Sequence, residues 1–443
     1  MRDHTSRSVD ADQLRRKPRF FYGWIVVGVI AVARIASTTQ QNQVLSVLVK
    51  PVTTEFGWSR SAFIGASSIG TVLGGLTALI IGPVIDRVGA RWVVFTGFLL
   101  MGGLMMAMSS ITTLWQFYLL LISTRLILQG VLSLAANIVV SKWFYRKRGR
   151  ASAIPAIGQR AGAGVMPFYA QAMVSSFGWR SAIFSLGLLV WAMTLVPVAG
   201  WLRRRPEDMG LLPDGDLREI EEATAEGGEA VPKPAPDQAD SEVSFTLGQA
   251  LRTRAFYLLL VVVSLSTFTN AGINFNMFPL LTDRGLSDLQ GVSLVSIWSY
   301  IGIPTTVLWG FLADRVPTRY LMAVALFGMG AGTIVLSLVE SFGMGVVFAL
   351  VHGFFFAGAL LLQNLIFANY FGRASFGMIR GFVTPFQMLS NALGPLAATL
   401  VFDTQGNYDL ILVIWAGLLP VLGVAVLFAM PVTGHKRPEQ TVV

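Results

Sequence analysis

Twelve long apolar runs constrain the fold of this chain more than any other feature of its sequence. Each reaches the length of about 20 residues that an α-helix needs to cross a bilayer. They cover about residues 21–49, 60–81, 91–110, 114–140, 151–176, 180–201, 254–281, 288–312, 319–339, 342–368, 378–402 and 409–431. Because 54% of the 443 residues are apolar and only 13% are charged, the chain is predicted to be an all-α polytopic membrane protein with twelve transmembrane helices.

A polar segment divides these runs into two sets of six. It is rich in Pro, Glu, Ala and Gly, which is typical of a flexible tether. The predicted parts are a cytoplasmic tail at 1–20, a six-helix half at 21–202, a cytoplasmic linker at 203–250, a second six-helix half at 251–431 and a cytoplasmic tail at 432–443. The halves repeat at an offset of about 228 residues. Pseudo-symmetric halves of this kind are typical of secondary transporters that bind substrate between them.

The positions of the basic residues predict the orientation of the chain in the membrane. The loop that follows residue 140 carries Lys142, Arg146, Lys147, Arg148 and Arg150. Of the 33 lysines and arginines, only Lys50, Arg60, Arg180 and Arg284 fall on the opposite side. Since basic loops stay in the cytoplasm, both termini are expected there, in a plasma membrane or bacterial inner membrane.

Composition excludes several other classes of protein. The chain has no cysteine and only three scattered histidines, so we expect no catalytic thiol, disulfide, metal site or cofactor, and no enzymatic activity. Its formal charge of +9 does not indicate nucleic-acid binding, because the basic residues cluster at the ends of apolar runs. The predicted partners are the lipid bilayer and a small molecule, and no obligate protein partner is evident.

Three arginines lie inside apolar runs, near the predicted middle of the membrane: Arg34, Arg125 and Arg160. An arginine at that depth costs roughly 2.5 to 3.5 kcal/mol on insertion scales, and no carboxylate is predicted at comparable depth. A guanidinium binds a carboxylate through two parallel hydrogen bonds. The arginines therefore predict an anion site, although backbone carbonyls, amides and water are an alternative set of partners.

Polar residues in the same runs are candidates for the rest of the site. Residues predicted to contact the substrate with the arginines are Gln41, Asn42, Asn270, Asn274, Ser390 and Asn391. Gln363 and Gln387 are weaker candidates of the same kind, and interhelical hydrogen bonds are the alternative for all of them. His352 is the only histidine within a span and is a candidate for proton coupling. A hydrogen-bonded structural histidine is the alternative there.

A repeated motif at the cytoplasmic side predicts a gate. Asp86, Arg87 and Arg91 of GPVIDRVGAR recur as Asp314, Arg315 and Arg319 of GFLADRVPTR. Both aspartates are expected in loops, where such residues can pair with a facing helix and stabilise one access state by about 1 to 3 kcal/mol.

The GxxxDRxGxR loop at 82–91, its degenerate copy at 310–319 and RLILQG at 125–130 resemble signatures of the major facilitator superfamily. Within it, the YGW sequence at 22–24 and WFYRKRGRASAIPAIGQRAG at 143–162 resemble monocarboxylate carriers and oxalate/formate antiporters. The resemblance implies rocker-switch movement of carboxylates. At the position of a lysine in helix 1 of the animal carriers, this chain has Asn42. The Asp-Arg pair that those carriers have in helix 8 falls near Gly302 and Thr306 here.

These features favour a secondary active transporter of small organic anions, mono- or dicarboxylates, that works by alternating access. Proton symport and anion exchange both remain open. A proton-driven exporter of drugs or other amphipathic compounds is an alternative, but such an exporter usually needs a carboxylate within the membrane. A non-transporting sensor built on a carrier scaffold is an alternative from another class.

Overall fold

The computed structural model describes residues 21–144, 147–203, 245–372 and 376–430, together with 206, 209 and 211. The N-terminal helices are α1 Gly23–Ser37, α2 Asn42–Phe56, α3 Arg60–Val88, α4 Ala90–Met108, α5 Leu114–Leu126, α6 Ser133–Trp143 and α7 Arg148–Trp201. The C-terminal helices are α8 Leu247–Ala250, α9 Arg254–Asp283, α10 Asp288–Ala313, α11 Thr318–Ser337, α12 Phe342–Phe371, α13 Phe376–Gln405 and α14 Asp409–Phe428. The described part of the chain contains no strand, as the sequence predicted.

Nine helical stretches of the described residues are long and apolar enough to cross a membrane. One of them, Gly149–Trp201, is two helices in its backbone geometry, because Gly178 has a φ of 80°. That conformation suits glycine and interrupts a right-handed helix. The prediction of an all-α membrane protein is confirmed, whereas the count of twelve spans remains a prediction.

Polar residues and glycines between the apolar runs determine where the helices begin and end. At the start of α10, Gln290 N donates to Ser287 Oγ at 3.3 Å, and Ser287 N donates to Gln290 Oε1 at 3.0 Å. This reciprocal capping box satisfies two amides that the helix leaves unpaired. Gly89, with a φ of 92°, ends α3. Asp86 therefore lies in the last turn of α3, and the prediction that it lies in a loop was wrong.

The helices pack as an N-terminal group, Gly23–Trp201, and a C-terminal group, Arg254–Phe428. In the first group α1 and α4 pack on α7, and in the second α11 packs on α12 and α14. Glycines allow the close approach of α1 and α7, since a Cβ on Gly158 would lie 2.9 Å from the Ala31 carbonyl oxygen. The two groups meet where α2 contacts α9, α3 contacts α13 and α7 contacts α10.

The end of the predicted linker belongs to the C-terminal group. Phe245 N donates to the Phe371 carbonyl oxygen at 2.9 Å, and the two rings meet edge to face. Phe245 and Ala250 are buried, so this end of the predicted linker packs against the C-terminal group. The predicted tails at 1–20 and 432–443, and residues 212–244 of the linker, lie outside the described residues.

Candidate functional site

A cavity of about 450 Å³ lies between the two groups of helices. Its volume is within the range of about 300 to 1,000 Å³ that is usual for small-molecule sites. The residues predicted to contact the substrate that line it are Arg34, Gln41, Asn42, Arg125, Arg160, Asn270, Asn274 and Asn391. Ser390 does not line it. None of the described residues of this wall is acidic, so the described lining of the cavity carries a net positive charge.

Arg125 is the most enclosed of the three arginines, with 3% of its surface exposed. Its Nη1 donates to the Gln40 carbonyl oxygen at 2.8 Å, and its Nη2 donates to Asn42 Oδ1 and Thr71 Oγ1, both at 2.9 Å. These neutral oxygens take up most of the donors of the guanidinium. Arg125 thus joins the backbone at Gln40 to side chains of α2 and α3.

The backbone that Arg125 holds is a break between α1 and α2. Residues Thr38–Gln40 form a 3₁₀ turn, and Gln41 is extended, with a ψ of 165°. Gln41 makes no side-chain capping hydrogen bond at the start of α2. Gln41, Asn42 and Gln43 all line the cavity. The positive end of the α2 dipole therefore lies at the cavity wall, where it favours a bound anion.

Arg160 reaches from α7 across to the C-terminal group. Its Nη2 donates to Thr306 Oγ1 on α10 at 3.2 Å. The guanidinium lies directly against Gly302, because a Cβ built at that glycine would collide with Arg160 Nη1. Glycine at position 302 thus makes room for the charged group between the two groups of helices.

Arg34 lies on the wall formed by α1. Its Nη2 donates to the Ser133 carbonyl oxygen at 3.3 Å, at the end of a π-helical segment, Ile127–Leu132. Such segments shift the register of a helix and are frequent at functional sites. Ser133 and Gln129 from this region also line the cavity.

Aromatic side chains form another part of the wall. The rings of Trp298 and Phe356 stack with their centroids 4.9 Å apart and an interplanar angle of 17°. Phe98 from the N-terminal group lines the same cavity. The site therefore combines arginines and amides with flat apolar surfaces, a lining that suits an anion with an apolar body.

His352 is fully buried and does not line this cavity. Its Nδ1 accepts a hydrogen bond from Trp298 Nε1 at 3.1 Å. Because an indole N–H can only donate, this bond requires an unprotonated Nδ1. His352 Nε2 has no hydrogen-bond partner among the described residues, and Trp298 separates the imidazole from the cavity.

The first copy of the predicted gate motif lies at the end of the molecule where α3 ends. The side chains of Asp86 and Arg87 lie outside the described part of the structure. Arg91 Nη2 donates to the carbonyl oxygen of Ala199, within the N-terminal group. Arg91, whose side chain the structure describes, therefore does not join the two groups of helices.

The second copy behaves in the same way. Asp314 is the C-cap residue of α10. The Arg315 guanidinium lies 3.4 Å from the centroid of the Phe311 ring, and Arg319 Nη2 donates to Tyr320 OH at 2.7 Å. These contacts stay within the C-terminal group.

Charged residues join the two groups at the opposite end; we call Lys50, Arg60, Asp283, Asp403 and Tyr408 the end lock. Lys50 Nζ lies 2.7 Å from Asp283 Oδ1, and Arg60 Nη1 lies 2.5 Å from Asp283 Oδ2. Arg60 also donates to Tyr408 OH at 2.9 Å and, through its backbone amide, to Asp403 Oδ1 at 3.2 Å. Burial raises the pKa of Tyr408 to about 12, so its hydroxyl stays neutral.

The hydrogen bonds between the groups extend from the end lock only as far as the cavity. Ser68 Oγ donates to the Ala392 carbonyl oxygen at 2.6 Å, and Ser296 Oγ donates to the Gly164 carbonyl oxygen at 2.5 Å. Between described residues, no hydrogen bond or ion pair joins the groups beyond Ser68 and Arg160. The lock end is therefore the closed end of the interface.

Comparison with known proteins decides the family. The family profile described as Major Facilitator Superfamily matches residues 29–345 and, again, residues 293–442. The chain belongs to the major facilitator superfamily. Superfamily membership makes it an integral membrane transporter of small molecules, and this function is not enzymatic. The crystal structure of a D-xylose–proton symporter has the same fold, with a TM-score of 0.71, 13% identity and coverage of 93% of this chain and 98% of the symporter.

Individual relatives in the superfamily are distant but extend over most of the chain. Membrane sensor protein UhpC of Salmonella typhimurium is 25% identical and covers 83% of this chain and 82% of its own length. Monocarboxylate transporter 2 of Meriones unguiculatus is 24% identical over 94% of this chain and 87% of its own length. The gallate transporter of Pseudomonas putida is 24% identical over 88% of this chain and 91% of its own length.

Sequence reasoning missed two parts of this arrangement. The aromatic wall gave no signal, because aromatic residues are frequent in the apolar runs and no local pattern distinguishes Trp298 and Phe356 from the others. For the end lock, the sequence predicted only that Lys50 and Arg60 lie on the side of the membrane opposite the basic loops, because the pairing of Arg60 with Asp283 joins positions 223 residues apart. Local patterns carry no information about such a contact.

Proposed function

We propose that this transporter carries small organic anions, mono- or dicarboxylates, through the cavity between the two groups of helices. The observation that carries the proposal is a wall with three arginines, Arg34, Arg125 and Arg160, and no acidic residue among those described. An arginine in the membrane needs a partner, and a carboxylate fits its two parallel donors. The N-terminal end of α2 adds to the same positive field.

The three arginines divide this work. Arg125 already has three protein acceptors, so we assign it to holding the break between α1 and α2. Among the described residues, Arg160 has a single hydrogen bond, to Thr306, and its guanidinium bridges the two groups. We therefore assign carboxylate binding to Arg160, with Arg34 completing the field from α1.

Two observations favour acids that carry a ring. Trp298 and Phe356 offer a stacked aromatic surface on the cavity wall. Among the relatives are a gallate transporter and monocarboxylate transporter 2, and gallate is an aromatic carboxylate. Amides such as Asn270 and Asn274 line the same cavity and can bond to ring hydroxyls. We propose benzoate-like acids as the first compounds to test.

A binding and flux panel tests the proposal. Purified protein is heated with benzoate, gallate, lactate and succinate, and with benzamide and benzylamine as neutral and cationic controls. Binding to the folded state raises stability by about 2.7 kcal/mol at a hundredfold excess over Kd, so the carboxylates should raise the melting temperature. Uptake of the stabilising acid into proteoliposomes then measures transport. A melting shift with benzylamine alone would contradict the anion assignment.

The closed lock end indicates which access state the structure represents. The basic residues around the junctions of α3 with α4 and of α6 with α7 lie at the other end, and basic segments of this kind stay in the cytoplasm. We propose that the end lock closes the outer side and that this state faces inward. In the opposite state, we propose that Asp86, Arg87, Arg91, Asp314, Arg315 and Arg319 close the cytoplasmic side.

Asp283→Asn should weaken the end lock. The substitution removes the carboxylate that pairs with both Lys50 and Arg60, at a cost of about 1 to 2 kcal/mol for this partly exposed pair of contacts. The population of outward-open protein should rise about 5- to 30-fold. Since the chain has no cysteine, Ser68→Cys, buried between the groups, reports opening through alkylation by an impermeant maleimide.

Asp409→Asn is the matched control for this experiment. Asp409 pairs with Arg284 at 2.6 Å at the same end of the molecule, but both residues belong to the C-terminal group. Alkylation at Ser68→Cys should therefore accelerate with Asp283→Asn and not with Asp409→Asn. Equal rates in both backgrounds would show that the lock does not hold the outer side closed.

Proton coupling through His352 is not supported by its position. The imidazole lies behind Trp298, and a proton on Nδ1 would break the bond from Trp298 Nε1. We expect His352→Gln to retain the wild-type ratio of uptake with and without an inward proton gradient, because the glutamine oxygen can still accept that bond. The ratio is independent of protein yield. A mutant that ignores a gradient to which the wild type responds would identify His352 as the proton carrier.

A sensor without transport activity is the second candidate function. The relative UhpC is named a membrane sensor protein, and a sensor would share the fold and a ligand cavity. The flux measurement separates the two, because a sensor would be stabilised by the carboxylate without moving it. For a drug exporter, substituted ammonium compounds would have to be the stabilising ligands.

A further inference from the structure

A second cavity of about 340 Å³ adjoins the arginine-lined cavity. The two share Gln129, Asn270, Phe356, Leu360 and Asn391. The second cavity continues along α12 and α13 towards the end opposite the lock, where the described groups share no hydrogen bonds. A molecule leaving the first cavity on that side would pass through the second.

Arg380 lies at the far end of this second cavity, in the second turn of α13. Its Nη1 is buried and has no hydrogen-bond partner among the described residues. Leaving a charged donor buried and unpaired is costly, because desolvation is not offset. None of the described wall residues is acidic, so the donor has no internal anion to bind.

An amide network lies on the same wall. Gln387 Nε2 donates to Gln363 Oε1 at 3.3 Å, and Gln363 Nε2 donates to Ser266 Oγ at 3.2 Å. The bonds run in one direction and leave the second N–H of Gln387 available. Among the described residues, Arg380 Nη1 and this second N–H of Gln387 are therefore unpaired donors on one wall, and an acceptor with several lone pairs can bind both.

We propose that Arg380, with Gln387, forms a second carboxylate-binding subsite on the cytoplasmic side of the first. The proposal rests on the carboxylate transport proposed above, and it adds a station at which the anion is held after it leaves Arg160. A single anion then moves between two guanidinium groups. Its negative charge keeps a partner along the route, which avoids a wholly uncompensated charge in the membrane interior.

Single cysteines in the cysteine-free chain test the subsite with benzoate as the probe. Ala156→Cys reports on the first cavity and Asn364→Cys on the second, since both positions are exposed and line them. Benzoate should slow maleimide alkylation at both cysteines, and benzamide should slow neither. Arg380→Gln should raise the benzoate concentration for half-protection about tenfold at Asn364→Cys, and leave Ala156→Cys unchanged.

Arg252→Gln is the charge-matched control, because Arg252 is exposed at the same end of the molecule and lines neither cavity. It should change neither protection. If benzoate does not slow alkylation at Asn364→Cys, the proposed subsite is wrong. It is also wrong if Arg380→Gln leaves the benzoate concentration for half-protection at that cysteine unchanged. In either case, slower alkylation of Ala156→Cys with benzoate would still support carboxylate binding in the first cavity, and unchanged alkylation there would contradict the proposed function as well. Slow alkylation without benzoate in phosphatidylglycerol vesicles, relieved in phosphatidylcholine, would assign Arg380 to a lipid phosphate and also overturn it.

Discussion

Arg125→Met is expected to lower the free energy of unfolding by about 2 to 4 kcal/mol, the largest stability loss at any of the three cavity arginines. The substitution keeps a long side chain but removes every donor. It leaves the Gln40 carbonyl, the Asn42 amide oxygen and the Thr71 hydroxyl without the partner they now share. Buried acceptors that lose their donor cost the full desolvation of each group.

Thermal unfolding of the purified protein in lipid nanodiscs measures this loss. Thr71→Val removes one of the three acceptors and should cost about 1 kcal/mol, so the two variants form a graded pair. Arg160→Gln should cost less than Arg125→Met, because Arg160 has one hydrogen bond to Thr306. Equal melting temperatures for Arg125→Met and Arg160→Gln would contradict the structural role of Arg125.

The positions of the long helices could be predicted from the sequence, because the requirement for about 20 apolar residues is local. The same argument placed Arg34, Arg125 and Arg160 inside predicted membrane spans. The free-energy cost of a charged side chain in a membrane indicated that the three face an interior site. Membrane burial of a charge is a strong constraint. It identifies the residue without identifying its partner, which is why Arg125 and Arg160 could not be told apart.

The break between α1 and α2 could not be predicted. The residues there, Thr38–Gln41, include neither glycine nor proline, so no local signal ends the helix. At the break, the Gln40 carbonyl accepts a hydrogen bond from Arg125, 85 residues further along the chain, and such a contact leaves no local signal in the sequence. The end of α3 was also not predicted, because the helix continues through Asp86 and ends only at Gly89.

Arg160→Gln is expected to weaken binding of the transported carboxylate by on the order of 10- to 100-fold, because a hydrogen bond to a charged group contributes about 1.5 to 3 kcal/mol. Arg160→Lys keeps the charge but loses the planar fork, so it should restore only part of the affinity. Isothermal titration of each variant with the acid that gives the largest melting shift measures the effect. Transport should fall in the same order, since Arg160 links the two groups of helices.

Gly302→Ala tests the same guanidinium without changing its charge. The added methyl group would occupy the place of Arg160 Nη1, so the arginine must leave its position beside Thr306, and affinity should fall towards that of Arg160→Gln. Gly310→Ala on the same helix is the control, because its methyl group would meet nothing closer than 3.9 Å. If Gly302→Ala binds the acid as the wild type does while Arg160→Gln does not, the charge of Arg160 matters and its position against α10 does not.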